Sequence, residues 1–380
     1  MSEVTNLITK GTTPREKGGR GEVNFIKVEN LSKNGNIFTT SKVSVSEHQG
    51  YLARSILQEN DILFSIAGSL GRTAIVPKLV LPANTNQALA IIRLSTGCVE
   101  FVATYLSGEA IDRYIRRNPT VGAQPNISLT QVASLQIDWP SLHEQEVISK
   151  LFARVKDLIA ATQRRIDDLE QVEKTLLQHL FDQSWRFNVY SDPWVKSKVA
   201  NMAKENFGGG TPSTKKRSFW TGSLPWIQSS DLDKSNKYTV IPKKFISSAA
   251  LKSSAAKKVP SNSIAVVTRV GVGKLAFINY DYATSQDFLS FSFLNWSAFF
   301  SVNLLTRVME QMSNEGQGTS IKGVTKSELL AKSVLIPTSL EEQISIGNLL
   351  KSFDDLIKST SNRLSKLELL KTSLLKNLFV

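Results

Sequence analysis

The sequence has little of what metal and disulfide sites require. It contains one cysteine, Cys98, and three histidines, His48, His143 and His179. A single cysteine excludes an intrachain disulfide and a cysteine-based zinc site within one chain. Because the histidines are widely spaced, we expect no metal site and interpret each histidine as a surface or structural residue.

Motifs of cofactor-dependent catalysis are also missing. Gly271-Val-Gly273-Lys274 resembles a dinucleotide-binding glycine loop, but the following residues, 277–280, predict a strand rather than the required helix. A tight hairpin is the better interpretation. The sequence contains neither the Asn-Pro-Pro-aromatic motif of adenine methyltransferases nor the carboxylates and lysine of a nuclease core. We therefore expect a non-catalytic chain that carries no cofactor of its own.

Long apolar runs are absent as well. The most apolar stretch, 294–305, is interrupted by four Asn and Ser residues and is too short and too polar to span a bilayer. The N-terminus lacks the basic and apolar pattern of a secretion signal. These absences predict a cytoplasmic protein with no membrane partner.

Positive charge is in excess and unevenly distributed. The chain has 46 Lys and Arg against 33 Asp and Glu, a net charge of +13. Residues 1–140 carry 14 basic and 11 acidic side chains, whereas residues 183–338 carry 20 and 9, which gives net charges of +3 and +11. Such a concentrated excess is typical of a protein that binds a polyanion, most often nucleic acid, although solubility alone is the alternative.

The chain is an internal repeat with an offset of about 198 residues. Residues 142–181 align without gaps on 340–379, and sixteen of the forty positions are identical. Thr13-Pro14 aligns with Thr211-Pro212 at the same offset, and Gln87 falls near the position that matches Gln286. Met1 aligns with about Val199, so the first copy lacks a counterpart to the segment before that residue. The repeat predicts four parts: a globule at 1–140, a helix at 141–182, a globule at 183–338 and a helix at 339–380.

Both repeated segments predict helices of about 40 residues. Each begins with a capping box, Ser141-x-x-Glu144 or Ser339-x-x-Glu342, and apolar residues then recur every three to four positions. A long helix with one apolar stripe needs a partner. We expect the two copies to form an antiparallel coiled coil related by a pseudo-twofold axis; docking of each helix on its own globule is the alternative.

The globules predict a mixed α/β architecture, because short apolar runs alternate with turn residues. Strands are predicted at 23–28, 61–67, 74–76, 88–94, 226–229, 263–268, 275–278 and 288–293. Helices are predicted at 101–116 and 298–312, and a linker at 182–193.

This pattern resembles the specificity subunit of type I restriction-modification systems. The resemblance rests on Leu142-His-Glu-Gln145 and Leu340-Glu-Glu-Gln343, on Gly-Gly-Gly-Thr-Pro-Ser at 208–213, and on the motif at 224–232. It implies an α+β fold of two similar α/β target recognition domains separated by the two long repeated helices. It also implies a sequence-specific DNA-binding function on a bipartite double-stranded DNA target.

The same resemblance implies partners that perform the chemistry. Two methyltransferase (modification) subunits would bring S-adenosylmethionine and adenine methylation, and restriction/translocase subunits would bring ATP, Mg and cleavage. A coiled-coil scaffold that binds other proteins is the alternative function.

Candidate DNA-contacting residues follow from side-chain chemistry. Phosphates attract Lys and Arg, and base edges are read by Arg, Asn and Gln. The candidates in the first globule are Arg15, Lys17, Arg20, Lys27, Arg72, Asn86 and Gln87. The candidates in the second globule are Lys215, Lys216, Arg217, Gln228, Ser229, Ser230, Arg269, Lys274 and Gln286.

Overall fold

The computed structural model describes residues 1–15, 21–32, 34–117, 126–234, 236–315 and 323–379. The chain forms two compact units: unit 1 comprises Met1–Gln163 and Arg363–Val380, and unit 2 comprises Arg164–Asn362. Each unit therefore contains one predicted globule and one half of each predicted long helix.

The described residues of unit 1 form two small sheets and four short α-helices. Its strands are β1 (Thr5–Lys10), β2 (Val23–Ile26), β3 (Ser41–Val43), β4 (Ile62–Ser65), β5 (Thr73–Ile75), β6 (Ala83–Thr85) and β7 (Leu89–Leu94). Its helices are α1 (Val45–Gln49), α2 (Val99–Leu106), α3 (Glu109–Arg117) and α4 (Leu129–Ala133), and α5 (Leu142–Phe181) begins here. One sheet is antiparallel, with the order β1-β7-β4-β5. The other has the order β3-β2-β6, with β2 and β6 parallel.

Unit 2 repeats this arrangement. Its strands are β8 (Val195–Lys198), β9 (Ala203–Gly208), β10 (Leu224–Ile227), β11 (Lys244–Ile246), β12 (Ser263–Val267), β13 (Leu275–Ile278), β14 (Ala283–Thr284), β15 (Phe288–Leu294) and β16 (Ser333–Ile336). Its helices are α6 (Ser248–Ser253), α7 (Ala298–Glu315) and α8 (Lys326–Ala331), and α9 (Leu340–Leu378) begins here. The sheets β13-β12-β15-β9 and β11-β10-β14 match those of unit 1 strand for strand. The pair β16-β8 has no counterpart among the described residues of unit 1.

The central strands are buried on both faces, which explains their continuous apolar runs. In β4, Ile62 and Phe64 join the core that faces α2, whereas Leu63 joins a second core on the other face. In β12, Ile264 and Val266 likewise lie in a different core from that of Ala265 and Val267. Each globule therefore has two apolar layers around one four-stranded sheet.

One predicted helix is wrong in detail. Residues 101–116, predicted as one helix, form α2 and α3 with a break at Ser107-Gly108. Glycine disfavours a helix interior, because it loses more backbone entropy than other residues. The matching prediction in unit 2 is confirmed, since α7 runs without interruption.

The two long helices are confirmed, with helical residues at 142–181 and 340–378. In unit 1, the Phe152 ring of α5 stacks on that of Phe379, just after α9, at 5.6 Å between ring centroids. Further along α5, the charge of Lys156 acts on Lys371, which precedes Phe379: burial, and after it the positive charge of Lys156, lowers the pKa of Lys371. The halves of α5 and α9 in unit 1 therefore run in opposite directions.

In unit 2, the end of α5 meets the beginning of α9. Leu180 and Phe181 share a buried core with Ile346 and Leu350. The same core contains Phe300 of α7, so both helix halves share this core with the globule. Unit 1 thus shows the antiparallel pairing of the two helices, and unit 2 shows the docking of helix halves on a globule.

A buried glutamine at the start of each long helix fastens it to its globule. Gln145 accepts the Cys98 N–H at 2.9 Å and donates from Nε2 to the Pro140 carbonyl at 3.0 Å. Gln343 accepts the Ser297 N–H at 3.0 Å and donates to the Pro337 carbonyl at 3.0 Å. The glutamine of each Leu-x-Glu-Gln motif therefore has a structural role.

A capping box has two hydrogen bonds, and the structure confirms the one that the serine side chain accepts. The Ser141 and Ser339 hydroxyls accept the N–H groups of Glu144 and Glu342, each at 3.3 Å. The Glu342 carboxylate, however, binds the Arg186 guanidinium at 2.6 and 2.7 Å rather than reaching back to the cap. Since Arg186 lies in the predicted linker 182–193, this linker is tied to the start of α9.

Candidate nucleic-acid interface

The Thr-Pro loop after the first strand of each main sheet lies against the small sheet. A Cβ built on Gly11 would lie 2.1 Å from the Thr85 carbonyl oxygen, and one on Gly209 would lie 1.8 Å from the Ser285 carbonyl oxygen. Only glycine permits this close approach. The glycine in turn fixes the place of the threonine two residues later.

That threonine forms the same side-chain hydrogen bond in both units, which we call the Thr–Gln latch. The Thr13 hydroxyl donates to Gln87 Oε1, and the Thr211 hydroxyl donates to Gln286 Oε1. Since the amide oxygen accepts this bond, the Nε2 hydrogens remain to donate to an external acceptor. Both glutamines are exposed. Their predicted equivalence is therefore confirmed, while contact with DNA stays a prediction.

Two candidate cations contact backbone carbonyls of their own unit, which gives them a structural role. Arg72 donates from Nη1 to the carbonyls of Val28 and Leu31 at 3.4 and 3.0 Å. Its counterpart Lys274 donates from Nζ to the carbonyls of Ser229 and Leu232 at 3.3 and 2.9 Å. These cations hold the loop after β2 or β10 against the adjacent hairpin. We therefore count neither among the base-reading candidates, and we assign Ser229 the role of a carbonyl acceptor.

The hairpin between β12 and β13 confirms the interpretation of the glycine motif. Gly271 and Gly273 have φ values of +87° and +91°, which glycine adopts without strain. The hairpin borders a cleft of about 760 Å³. The cleft is also lined by Gly208, Gly209, Arg269, Gln286, Gly323 and Lys326. It brings together two sequence candidates, Arg269 and Gln286.

A second group of polar residues lies on the small sheet of unit 2. The Gln228 amide donates to Ser230 Oγ at 3.0 Å and accepts from Lys244 Nζ at 3.3 Å. Lys244 Nζ also lies 5.8 and 5.6 Å from the ring centroids of Trp220 and Trp226. Lys244 is a functional candidate that sequence reasoning missed, although the basic pair at 243–244 was a signal for it.

The basic run of unit 2 is exposed. Lys215 and Lys216 lie in the loop before a short 3-10 turn, Arg217–Trp220, and Arg217 is the first residue of that turn. Lys216 Nζ lies 5.0 Å from the Phe219 ring centroid. This exposure fits phosphate contacts, which require cations accessible to the duplex.

The candidates of unit 1 are more scattered. The Arg15 guanidinium lies 3.9 Å from the Tyr51 ring centroid, and Lys27 Nζ lies 3.8 Å from Glu29 Oε1. Asn86 Oδ1 accepts the Ala88 N–H at 3.2 Å, which stabilises the turn before β7. Lys17 and Arg20 lie outside the described residues.

Arg54 is a further candidate that was missed in unit 1. Its Nε donates to Thr12 Oγ1 at 2.8 Å, next to the Thr–Gln latch. No motif marks Arg54 in the sequence, because a tertiary contact across 42 residues brings it to the latch.

The described ranges contain neither a cluster of three or more potential metal ligands nor a helix that could span a membrane. No group of three or more His, Cys, Asp or Glu there is arranged to hold a metal ion. No helix among these residues combines the length and the apolarity that crossing a membrane demands.

A known protein family matches residues in both units. The family model for the type I restriction modification DNA specificity domain matches residues 1–171 and 191–369. The chain belongs to this family. Its two family domains correspond to the two copies of the sequence repeat.

Individual specificity-domain relatives are distant. The type I restriction enzyme MjaIX specificity subunit of Methanocaldococcus jannaschii is 29% identical over 49% of this chain and 44% of its own length. The putative MjaX specificity subunit of the same organism is 22% identical over 94% and 86%. The Escherichia coli EcoR124I/EcoR124II specificity subunit is 25% identical over 53% of each protein. The chain thus spans about half the length of two of these relatives.

Solved structures show the same fold. The S subunit of a type I restriction-modification system from M. genitalium has a TM-score of 0.64 at 13% identity and covers 100% of this chain and 94% of its own. The HsdS subunit from Thermoanaerobacter tengcongensis has a TM-score of 0.52 at 16% identity and covers 98% and 94%. These values support a mixed α/β specificity-domain fold with long helices.

Proposed function

We propose that this chain is the DNA specificity subunit of a type I restriction-modification complex and that each globule reads one half of a bipartite double-stranded DNA target. One observation carries the proposal: the two family domains repeat the same exposed Thr–Gln latch on the same pair of sheets. The coiled-coil scaffold alternative has no support in the comparisons.

The chemistry belongs to partner subunits in this proposal. Two methyltransferase subunits supply S-adenosylmethionine and adenine methylation, and restriction/translocase subunits supply ATP, Mg and cleavage. The purified chain mixed with DNA and labelled S-adenosylmethionine should transfer no methyl group, and addition of a modification subunit should produce transfer. Methylation by the single chain would contradict the division of labour.

The unequal charge of the two globules predicts unequal phosphate contact. Each phosphate contact contributes about −0.9 to the slope of log K against log salt. Replacing Lys215, Lys216 and Arg217 with glutamine should therefore flatten the slope by up to about 3 if all three side chains touch phosphates. Fluorescence anisotropy with a labelled duplex at several salt concentrations measures this slope.

A matched control removes the same charge elsewhere. The exposed α9 residues Lys358, Lys366 and Lys376 can be replaced with glutamine in a second triple variant. We expect its slope to stay near that of the wild type. Equal changes in the two variants would indicate a general effect of net charge, and no change in either would remove the 215–217 loop from the DNA.

A further inference from the structure

The two globules can be compared position by position, because their backbone hydrogen bonds define equivalent residues. The Gly71 N–H donates to the Ser65 carbonyl, and the Gly273 N–H donates to the Val267 carbonyl. The N–H groups of Ile127 and Val324 similarly donate to the carbonyls of Ile66 and Thr268. The residue after Ile66 in unit 1, Ala67, is therefore equivalent to the residue after Thr268 in unit 2, Arg269.

Residues that are the same in both globules serve a function common to both. The Thr–Gln latch is identical in units 1 and 2, and Arg72 and Lys274 make equivalent contacts with backbone carbonyls. Two domains that read different half-sites must differ in the side chains that read bases. The shared residues therefore suit roles that do not depend on sequence: Arg72 and Lys274 support the fold, and Gln87 and Gln286 suit contacts with the DNA backbone.

At the position of Arg269, the two globules differ both in charge and in hydrogen-bonding groups. Arg269 in unit 2 corresponds to an alanine, Ala67, at the equivalent position of unit 1. Arg269 is exposed, lines the 760 Å³ cleft beside Gln286, and makes no hydrogen bond or ion pair with any residue in the described part of the chain. Its guanidinium donors are thus available to an external acceptor.

We infer that Arg269 determines the specificity of unit 2 by reading a guanine in the second half-site. The guanidinium offers two parallel donors that match guanine O6 and N7, the commonest specific contact between proteins and DNA. Gln286, held by Thr211, anchors the same cleft on the DNA backbone. The inference rests on the proposed function and assigns the alanine of unit 1 no equivalent guanine contact.

The test selects bound DNA from a random pool with the full chain in complex with its modification subunits. The wild-type complex should select a bipartite motif. In the Arg269→Ala complex, the preference for one G·C pair of the second half-site should fall about 10- to 100-fold. The preferred bases of the first half-site should stay unchanged. Arg269→Lys should relax the same base pair, because lysine keeps the charge but lacks the planar fork.

Two further variants separate base reading from anchoring. Gln286→Ala should weaken binding to selected and random DNA alike without changing the motif. Ala67→Arg should add or alter a preference in the first half-site only. An unchanged second half-site in Arg269→Ala, or an equal loss of affinity on selected and random DNA, would overturn the inference.

The outcome also separates this inference from the proposed function. A wild-type complex that selects no motif overturns both. A wild-type complex that selects a bipartite motif, combined with an Arg269→Ala complex that selects the same motif, overturns only the role of Arg269.

Discussion

At the scale of single residues, the two globules pair the polar side chains at one buried position in different ways. In unit 1, Arg93 binds Asp61 through two hydrogen bonds at 2.7 and 2.8 Å, and the Asp61 side chain is fully buried. The hydrogen bond with Asp61 raises the pKa of Arg93. At the equivalent place in unit 2, the hydroxyls of Ser263 and Ser292 lie 2.6 Å apart. An ion pair in one copy is therefore a pair of neutral hydroxyls in the other.

This difference predicts a non-additive pair of substitutions. Arg93→Ser leaves the buried Asp61 carboxylate without its partner and should cost about 3 kcal/mol of unfolding free energy. The double variant Asp61→Ser, Arg93→Ser recreates the arrangement of unit 2 and should cost less than Arg93→Ser alone. Urea unfolding measures the three free energies, and a double variant as unstable as the sum of the singles would show that the sites are independent.

A partly buried lysine in unit 2 joins carboxylates from both long helices. Lys237 Nζ lies 3.2 Å from Glu173 of α5 and 3.3 Å from Asp354 of α9. Burial, the largest cause, raises the pKa of Asp354 to about 6, against the opposing effect of Lys237 and with a further contribution from Glu173. Tyr238 beside this cluster also has a raised pKa, chiefly because it is buried.

The raised pKa of Asp354 predicts the sign of a pH effect. Between the unfolded value of 3.8 and the folded value of about 6, the folded state binds the proton more tightly. Stability from this group is therefore present at low pH and is lost as pH rises through about 6. From pH 5 to pH 7 the loss should be on the order of 1 kcal/mol in the wild type and absent in Asp354→Asn. Urea unfolding of both proteins at the two pH values tests this, and parallel changes would contradict it.

At the scale of elements, the starts of the long helices depend on the buried glutamines. Gln343→Leu leaves the Ser297 N–H and the Pro337 carbonyl without this partner, and should cost about 2 kcal/mol. Hydrogen exchange of the Ser297 amide should accelerate, while that of the Cys98 amide, held by Gln145 in unit 1, should not. Gln145→Leu is the matched control and should produce the reverse pattern. Unchanged exchange at Ser297 would show that another group protects it.

The elements with a strong local signal were predictable from the sequence. The long helices were found almost to the residue, because capping serines and uninterrupted apolar periodicity are local features. The break between α2 and α3 was missed, since Tyr105, Leu106 and Ile111 continue the apolar pattern across the glycine. The small-sheet strands β3, β6, β11 and β14 were also missed, because each has only two or three residues.

The candidate site was less predictable than the fold. The sequence identified Gln87 and Gln286 through the repeat, but it could not distinguish a structural cation such as Lys274 from an available one such as Arg269. That distinction depends on which carbonyl oxygens the folded loops bring within reach. Charge and residue type alone do not contain this information.

At the scale of the whole molecule, the sequence repeat explains why a single polypeptide folds into two equivalent units. Each unit is built from one globule, one half of α5 and one half of α9. Neither globule with its own helix alone would complete a unit, because Phe379 at the end of the chain lies in the core of unit 1. Truncation after Asn362 should therefore destabilise unit 1 more than unit 2, which hydrogen exchange resolved by peptide can measure.

The shared helices make the distance between half-sites adjustable in the proposed function. Inserting seven residues, about two helical turns, after Arg164 and again after the equivalent Asn362 lengthens each helix by about 10.5 Å and nearly preserves the direction of its apolar stripe. If the helices set the spacing of the readers, the preferred gap between half-sites should grow by up to about three base pairs at ~3.4 Å per pair. The half-site bases should not change, because neither globule is altered.

Selection from a random pool reads out both the gap and the bases of this variant. A control with the insertion in α5 alone shifts its residues relative to those of α9, and should unfold at lower urea concentration instead of selecting a longer gap. A double insertion that folds and keeps the wild-type gap would rule out the helices as the determinant of spacing. A double insertion that changes the half-site bases would show that the helices also take part in reading them.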